Sequence, residues 1–430
     1  MIERYCTPEM TAVWSREAKY RRWLEVELAV CRAHAELGNL PSEALGAIES
    51  RASFDLERCD EIERQTRHDL MAFVRNVSEN VGPEGRWIHF GITSYDVIDT
   101  ALGMMMRDSC AQIVSSLEKL GSKVAEIAKQ HVHTPMIGRT HGIHAEPISF
   151  GFKLAGWHAE IQRSMERVEF AKRGISVGKI SGAVGVHAIV SPELEKRVCE
   201  LLDLKPDEAS TQIVSRDRMA HLFGVLATTA GSLERFATEL RNLQRTEILE
   251  VQEEFGAGQT GSSAMPHKRN PWNSETICGL ARIVRSNAAA VFESQATWHE
   301  RDLTNSSVER VVLPDTFQLV DFMIQKLTSI LNGLKIFPEA MAENMKRLGD
   351  LVFSEHLMLA LIKKGLTREE AYAAAQRNAA KAWAGEDFKT CLKQDEEIRS
   401  KLSEAEIEEC FDLRRHLRFV EHTLRAAGIL

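Results

Sequence analysis

Residues 101 to 130 read ALGMMMRDSCAQIVSSLEKLGSKVAEIAKQ. Within this stretch Leu102, Met106, Cys110, Ile113, Leu117, Leu120, Val124 and Ile127 follow one another at steps of three and four. An α-helix turns once every 3.6 residues, so these steps lay the side chains along one face. The pattern predicts a helix of about 30 residues packed against partner helices. The methionines at 104 to 106 are read as core. The same spacing returns in Ser215 to Phe255 through Met219, Leu222, Leu226, Ala230, Leu233, Ala237 and Leu240. It appears again through Ile277, Leu280, Val284, Ala288 and Val291, and after Pro314 through Leu319, Phe322, Leu327 and Leu334. Only 11 prolines interrupt the 430 residues. Long stripes repeated this often predict an all-α chain built on a central bundle of long helices with knobs-into-holes packing. Such a bundle offers extended apolar faces for symmetric association.

Outward from the stripes, helices are expected at Thr11 to Leu37, Asp55 to Val81 and Ile148 to Lys172, with a short one opening at Ser191-Pro192. Pro135 stops the first stripe, and MIGRTHGIHAEP is read as a connecting loop. The glycine-rich, β-branched run Gly174 to Ala188 predicts a short hairpin or an irregular excursion. After Gly365, Thr367 and Glu370 form a capping box, and the helices become shorter and more charged. These changes suggest three domains: an N-terminal helical one over 1–95, the long-helix bundle over 96–348, and a small helical one over 349–430.

Composition narrows the possible partners. Apolar residues make up 44% of the chain, enough for a large core. Fifty-four basic and 62 acidic side chains give a net charge of −8 with no block of one sign. Nucleic-acid binding needs a basic stripe, so no nucleic acid is expected as a partner. The eight cysteines are scattered without a Cys-x-x-Cys pair, which fits neither a disulfide framework nor a structural zinc site and suggests a reducing compartment. The first ten residues, MIERYCTPEM, lack the apolar run of a signal peptide, and no segment approaches the ~20 apolar residues of a membrane span. A cytoplasmic protein without a membrane partner is expected.

Polar islands interrupt the helical pattern at or near helix ends: Arg67-His68-Asp69, His89 to Asp96, Gly138 to His144, Gly256 to Glu275 and Trp298 to Arg310. The fourth, GAGQTGSSAMPHKRNPWNSE, has three glycines within six positions and almost nothing apolar to bury. It is expected to be a mobile, solvent-reaching loop. His141 and His144 are not read as a metal site. No nucleotide-binding glycine motif and no Ser-His-Asp order is present.

SSAMPHKRNP is similar to the signature of the fumarase/aspartase superfamily, roughly GSSxMPxKxNP. Further matching islands are Arg4-Tyr5, TRHD ending at Asp69, HFGITSYD from His89, GRTHG around His141, STQ ending at Gln212, and ERDLTNSSVER. Together these make the chain resemble the adenylosuccinate lyases within that superfamily, carbon–nitrogen lyases of purine biosynthesis. The resemblance implies a three-domain lyase assembled into a homotetramer with a helical core, each site being built from three chains. It implies β-elimination of fumarate, without cofactor or metal, from adenylosuccinate to give AMP. It also implies the same reaction on succinyl-aminoimidazole carboxamide ribotide. The alternatives are another fumarate-releasing lyase, such as one acting on argininosuccinate or aspartate, or a non-enzymatic helical scaffold.

That chemistry needs a base for the proton next to a carboxylate and an acid for the departing nitrogen. By family position the base is Ser262 and the acid is His141, whose imidazole can carry a proton near neutral pH. A serine becomes basic only where positive charge and oriented N–H groups stabilise its alkoxide, which Lys268 and the glycine-rich backbone can supply. Physics alone leaves Ser263 open as the base. The resemblance assigns Arg4, Tyr5, Arg67, His68, Asp69, Thr93, Ser94, Gln212, Arg301, Ser306 and Arg310 to substrate binding. It puts His68 and His89 near the phosphate, Lys268 and Asn270 near the succinyl carboxylates, and gives Glu275 the task of orienting His141.

Overall fold

The computed structural model describes residues 2–256, 258, 261 and 263–430. The fold is all-α, with short strand pairs added. The chain divides into two compact units. One comprises Met1–Lys119, Arg163–Arg235 and Thr276–Leu327, the other Leu120–Gln162, Phe236–Glu275 and Thr328–Leu430.

The 101–130 stripe lies on a helix, Ser94–Gln130, whose residues Met106, Cys110, Ile113, Leu117, Leu120, Val124 and Ile127 are all buried. The other long helices are Phe150–Ile175, Asp217–Leu243, Trp272–Glu293 and Thr304–Asn332. In the first unit Phe317 stacks on Trp14 at 5.4 Å and meets Phe223 edge-on at 5.8 Å. Trp14 also donates its indole N–H to Ser109 Oγ at 2.8 Å. A second aromatic group, Tyr20, Trp23 and Phe73, closes the core beneath the N-terminal helices. In the second unit Trp157 stacks on Phe236 at 4.8 Å. Leu357, Leu361, Phe388, Leu392 and Ile398 form a separate small core there. The capping box at Thr367 and Glu370 is present, with Glu370 N–H donating to Thr367 Oγ1 at 3.2 Å.

Five local expectations are corrected. Thr11 to Leu37 is two helices, Pro8–Trp14 and Arg16–Glu36, because Ser15 is extended and accepts from Ala18 N–H at 3.1 Å as a new N-cap. Asp55 to Val81 likewise breaks into Leu56–Thr66 and Asp69–Val81. The helix expected after Pro314 begins ten residues earlier, at Thr304, with the proline inside it. A proline within a helix removes one i→i−4 bond, and the long apolar face on either side outweighs that loss here. The helix expected over 215–255 stops at Leu243, and Val251–Gln252 pairs with Lys335–Ile336 instead. MIGRTHGIHAEP is not a loop: Pro135–Thr140 and Ile143–Ser149 pair as an antiparallel hairpin. The Gly174 to Ala188 run takes the irregular form, with Val177–Gly178 parallel to Lys205–Pro206.

Ion pairs with negligible exposure fix the long helices of the first unit. Arg216 donates to Asp99 at 2.6 and 2.9 Å and to Glu309 at 2.7 and 3.1 Å. Burial by itself would lower the guanidinium pKa, but the two carboxylates outweigh it and raise the pKa, so the group stays charged. Asp99 and Glu309 lie on two of the long helices, and Arg216 immediately precedes a third. Replacing Arg216 by Ala leaves two carboxylates buried without their cation. The expected loss is ~3–5 kcal/mol, read as a large drop in the thermal or urea midpoint.

Candidate active site

Three helices of the first unit begin around one cavity of about 450 Å³: Asp69–Val81, Ser94–Gln130 and Thr304–Asn332. Each helix start leaves N–H groups without intrahelical partners and carries partial positive charge. Arg67, His68, Asp69, Ser94, Arg301, Ser306 and Arg310 all line this cavity. The break between two helices delivers the first of these. Arg67 sits in the left-handed region (φ 54°) and ends Leu56–Thr66, its N–H donating to Glu63 O at 2.7 Å. His68 is the N-cap of the next helix, its Nδ1 accepting from Met71 N–H at 3.4 Å.

The charges do not cancel. Arg310 lies 2.8 Å from Asp69, and burial of that carboxylate is outweighed by the guanidinium, so its pKa is lowered. Arg67 forms no side-chain hydrogen bond or ion pair among the described residues, and it faces the cavity as an uncommitted cation. Arg301 lies over the ring of Tyr95 at 3.5 Å and donates to Gln212 Oε1 at 2.8 Å. Gln212 is held in turn by donating to Ala183 O at 2.9 Å. The Tyr95 hydroxyl faces the same cavity as Ser306, and burial raises its pKa. Three arginines and three helix starts stand against Glu63 and Asp69, so the cavity keeps an excess of positive charge, which suits an anion.

Other expected residues stand apart from this cavity. Arg4 and Tyr5 form a short 3-10 turn, where Tyr5 packs edge-on to Phe322 at 5.4 Å. Thr93 lines a neighbouring cavity and donates its N–H to Asp96 Oδ2 at 2.8 Å. His89 is engaged by Glu27, which accepts from its N–H at 2.8 Å and lies 2.7 Å from its Nδ1. Burial pulls the His89 pKa down, but Glu27 and the charge of Asp96 outweigh it, so the pKa is raised. Two contributors escaped the sequence reading. Tyr95 sits inside the quoted TSYD island and was detectable there. Lys19 lines an adjoining cavity of about 310 Å³ with Asp69 and Arg310, and burial lowers its pKa. It falls in a helical run that gives no signal.

In the second unit, His141 and Gly142 are the two turn residues of the 135–149 hairpin, with φ of 55° and 78° and Thr140 paired to Ile143. Two positive φ values in a two-residue loop make a type I′ turn. His141 is exposed at its apex. Ser262 lies outside the described residues, so the signature loop is described through its flanks. Asn270 donates its side-chain N–H to Gly261 O at 3.0 Å. A Cβ at residue 261 would lie 2.1 Å from Lys268 O and 2.8 Å from the Phe255 ring, so only glycine fits this crossing. Ser263 and Lys268 are exposed. The loop leads into Trp272–Glu293, whose start is capped by Glu253 accepting from Ser274 N–H at 2.9 Å and Asn273 N–H at 3.3 Å. Glu275 is exposed in that first turn, and among the described residues no hydrogen bond or ion pair joins it to His141.

A family model described as lyase matches residues 3–285, and one described as adenylosuccinate lyase C-terminus matches 350–427. An adenylosuccinate lyase of Synechocystis sp. is 50% identical over 97% of both chains. The chain belongs to the adenylosuccinate lyase family. Another relative, the adenylosuccinate lyase of Bacillus subtilis, is 47% identical over the full length of both chains. Among solved structures, a fumarate lyase from Mesorhizobium sp. BNC1 matches with a TM-score of 0.91 and 27% identity, covering 99% of each chain. A 3-carboxy-cis,cis-muconate lactonizing enzyme from Pseudomonas putida matches at 0.89 and 28%, covering 98% of this chain and 96% of the other. Among the described residues of this family member no helix is long and apolar enough to cross a membrane.

The His89–Glu27 pair gives a pH signature. A histidine pKa raised in the folded state stabilises fully below its unfolded value near 6.5, and that contribution is lost as pH rises through the folded value. The melting-point difference between the parent protein and His89→Gln should therefore be larger at about pH 6 than at about pH 9. A difference that stays constant or grows with pH would contradict this.

Proposed function

We propose that the chain catalyses cofactor-free β-elimination of fumarate from adenylosuccinate, giving AMP, and from succinyl-aminoimidazole carboxamide ribotide, giving the carboxamide ribotide. The observation that carries this reading is the cavity where three helix starts meet Arg67, Arg301 and Arg310. Its charge suits a phosphate or carboxylate. Membership of the adenylosuccinate lyase family supplies the reaction.

In this reading the exposed imidazole of His141 protonates the leaving nitrogen, and Ser262 takes the proton beside the succinyl carboxylate. Negative charge then builds on that carboxylate, where Lys268 and Asn270 receive it. The closure of Gly261 against Lys268 supports this, since residue 261 directly precedes Ser262. Arg67, His68, Ser94, Arg301 and Ser306 bind the anionic nucleotide, and Arg4, Tyr5, His89, Thr93 and Gln212 act around them. Glu275 orients His141. The sites are shared in a homotetramer, and the protein works in the cytoplasm.

A spectrophotometric assay with adenylosuccinate tests the proposal: fumarate and AMP should appear together, and no turnover with either substrate would defeat it. Ser262→Ala and His141→Ala should each lower kcat by at least ~10²-fold with melting points unchanged. Near-parental turnover in either variant would remove that residue from its role. Arg301→Lys keeps the charge but loses the planar stacking on Tyr95 and the fork geometry. It should raise KM by roughly 10-fold, while an unchanged KM would place Arg301 outside the substrate contacts.

A further inference from the structure

The second unit also holds a cluster for which the elimination chemistry has no use. Glu146 on strand Ile143–Ser149, His356 on helix Ser354–Lys363 and His416 on helix Leu413–Leu417 bring one ligand atom each within 4.8 Å of one another. The two imidazole rings meet at 4.1 Å between centroids. His356 Nδ1 and His416 Nε2 are both buried and have no hydrogen-bond partner among the described residues. Buried ring nitrogens are ordinarily paired, so two orphans on adjoining rings next to a carboxylate need an explanation. Phe353 closes one side, its ring 5.2 Å from that of His416.

The side chain of Glu355 lies beside Glu146. Arg415, Arg418 and Lys363 surround the histidines, so the two carboxylates are the local source of negative charge. We propose that Glu146, His356 and His416 form a binding site for a divalent transition-metal ion of the zinc type. Two imidazole nitrogens and one carboxylate oxygen are a donor set that suits zinc, with the fourth position left to water. Bonds of ~2.0 Å at tetrahedral angles put ligand atoms about 3.3 Å apart, so the side chains close by no more than roughly 1.5 Å on binding. Glu355 beside Glu146 adds negative charge that favours a bound cation. The bound ion would tie the strand that leads from the His141 turn to two C-terminal helices.

The full-length chain, stripped with a chelator, is titrated with Zn²⁺ by calorimetry and with Co²⁺ by visible absorption. One Zn²⁺ per chain should bind, the Co²⁺ form should show d–d bands, and Zn²⁺ should raise the melting point. His356→Ala should weaken zinc binding by at least ~100-fold, and Glu146→Gln, which keeps shape and so guards against misfolding, by at least ~10-fold. His133→Ala, which removes an exposed histidine of the same unit, should leave binding unchanged. The site is overturned if the parent chain takes up no zinc. It is equally overturned if both site variants bind as the parent does, since the metal is then held elsewhere.

Discussion

The first unit depends on one buried guanidinium. Arg216 holds Asp99 and Glu309, and these residues lie about one turn inside the starts of two long helices. Ser94 and Ser306, at those same starts, line the anion cavity. The ion pairs therefore set where two helix ends point. Desolvating three charges is costly, and the geometry is what makes the arrangement stable: each carboxylate receives two hydrogen bonds from the one planar group. Lysine could not do this, because its ammonium offers no fork. Asn305 adds a further donor to Glu309 at 2.8 Å, so the acid is satisfied on two sides.

The long helices were legible because burial imposes a period that sequence displays directly. Leu117, Leu120, Val124 and Ile127 are buried where the three-and-four spacing puts them. What escaped was decided by single residues. Ser15 ends one helix and caps the next, Arg67 and His68 divide the same two tasks, and nothing in the flanking apolar pattern changes at either point. Pro314 reads as a start and is in fact an interior residue, since the apolar face continues through it. The 135–149 hairpin was missed because its strands are short and mixed, and because a turn of His-Gly is a weaker signal than Asn-Gly.

The candidate site was legible as islands of polarity, and for a physical reason: helix ends expose backbone groups, and polar side chains gather there. Sequence brought Arg67, Asp69, Ser94, Arg301, Ser306 and Arg310 forward, and they share one cavity. It could not show that His89 is committed to Glu27, because the partner lies 62 residues away. Nor could it show Lys19, whose meaning comes from burial beside Asp69. Glu146 stood two residues from His144 in the sequence, but its neighbours His356 and His416 arrive from more than 200 positions away.

The exposed imidazole at position 141 is carried at the tip of a six-residue strand. At ~3.3 Å per residue the tip stands about 20 Å from the hairpin's base. A lever of that length converts a rotation of only ~3° at the base into a displacement of about 1 Å at the ring, a distance that can change a rate by ~100-fold. Packing along the hairpin, around Ile137, Val352 and Phe353, together with the ion pair of Arg139 with buried Glu250, therefore sets the aim of a group it never touches. Substitutions there can retune reactivity while leaving every polar residue of the site in place.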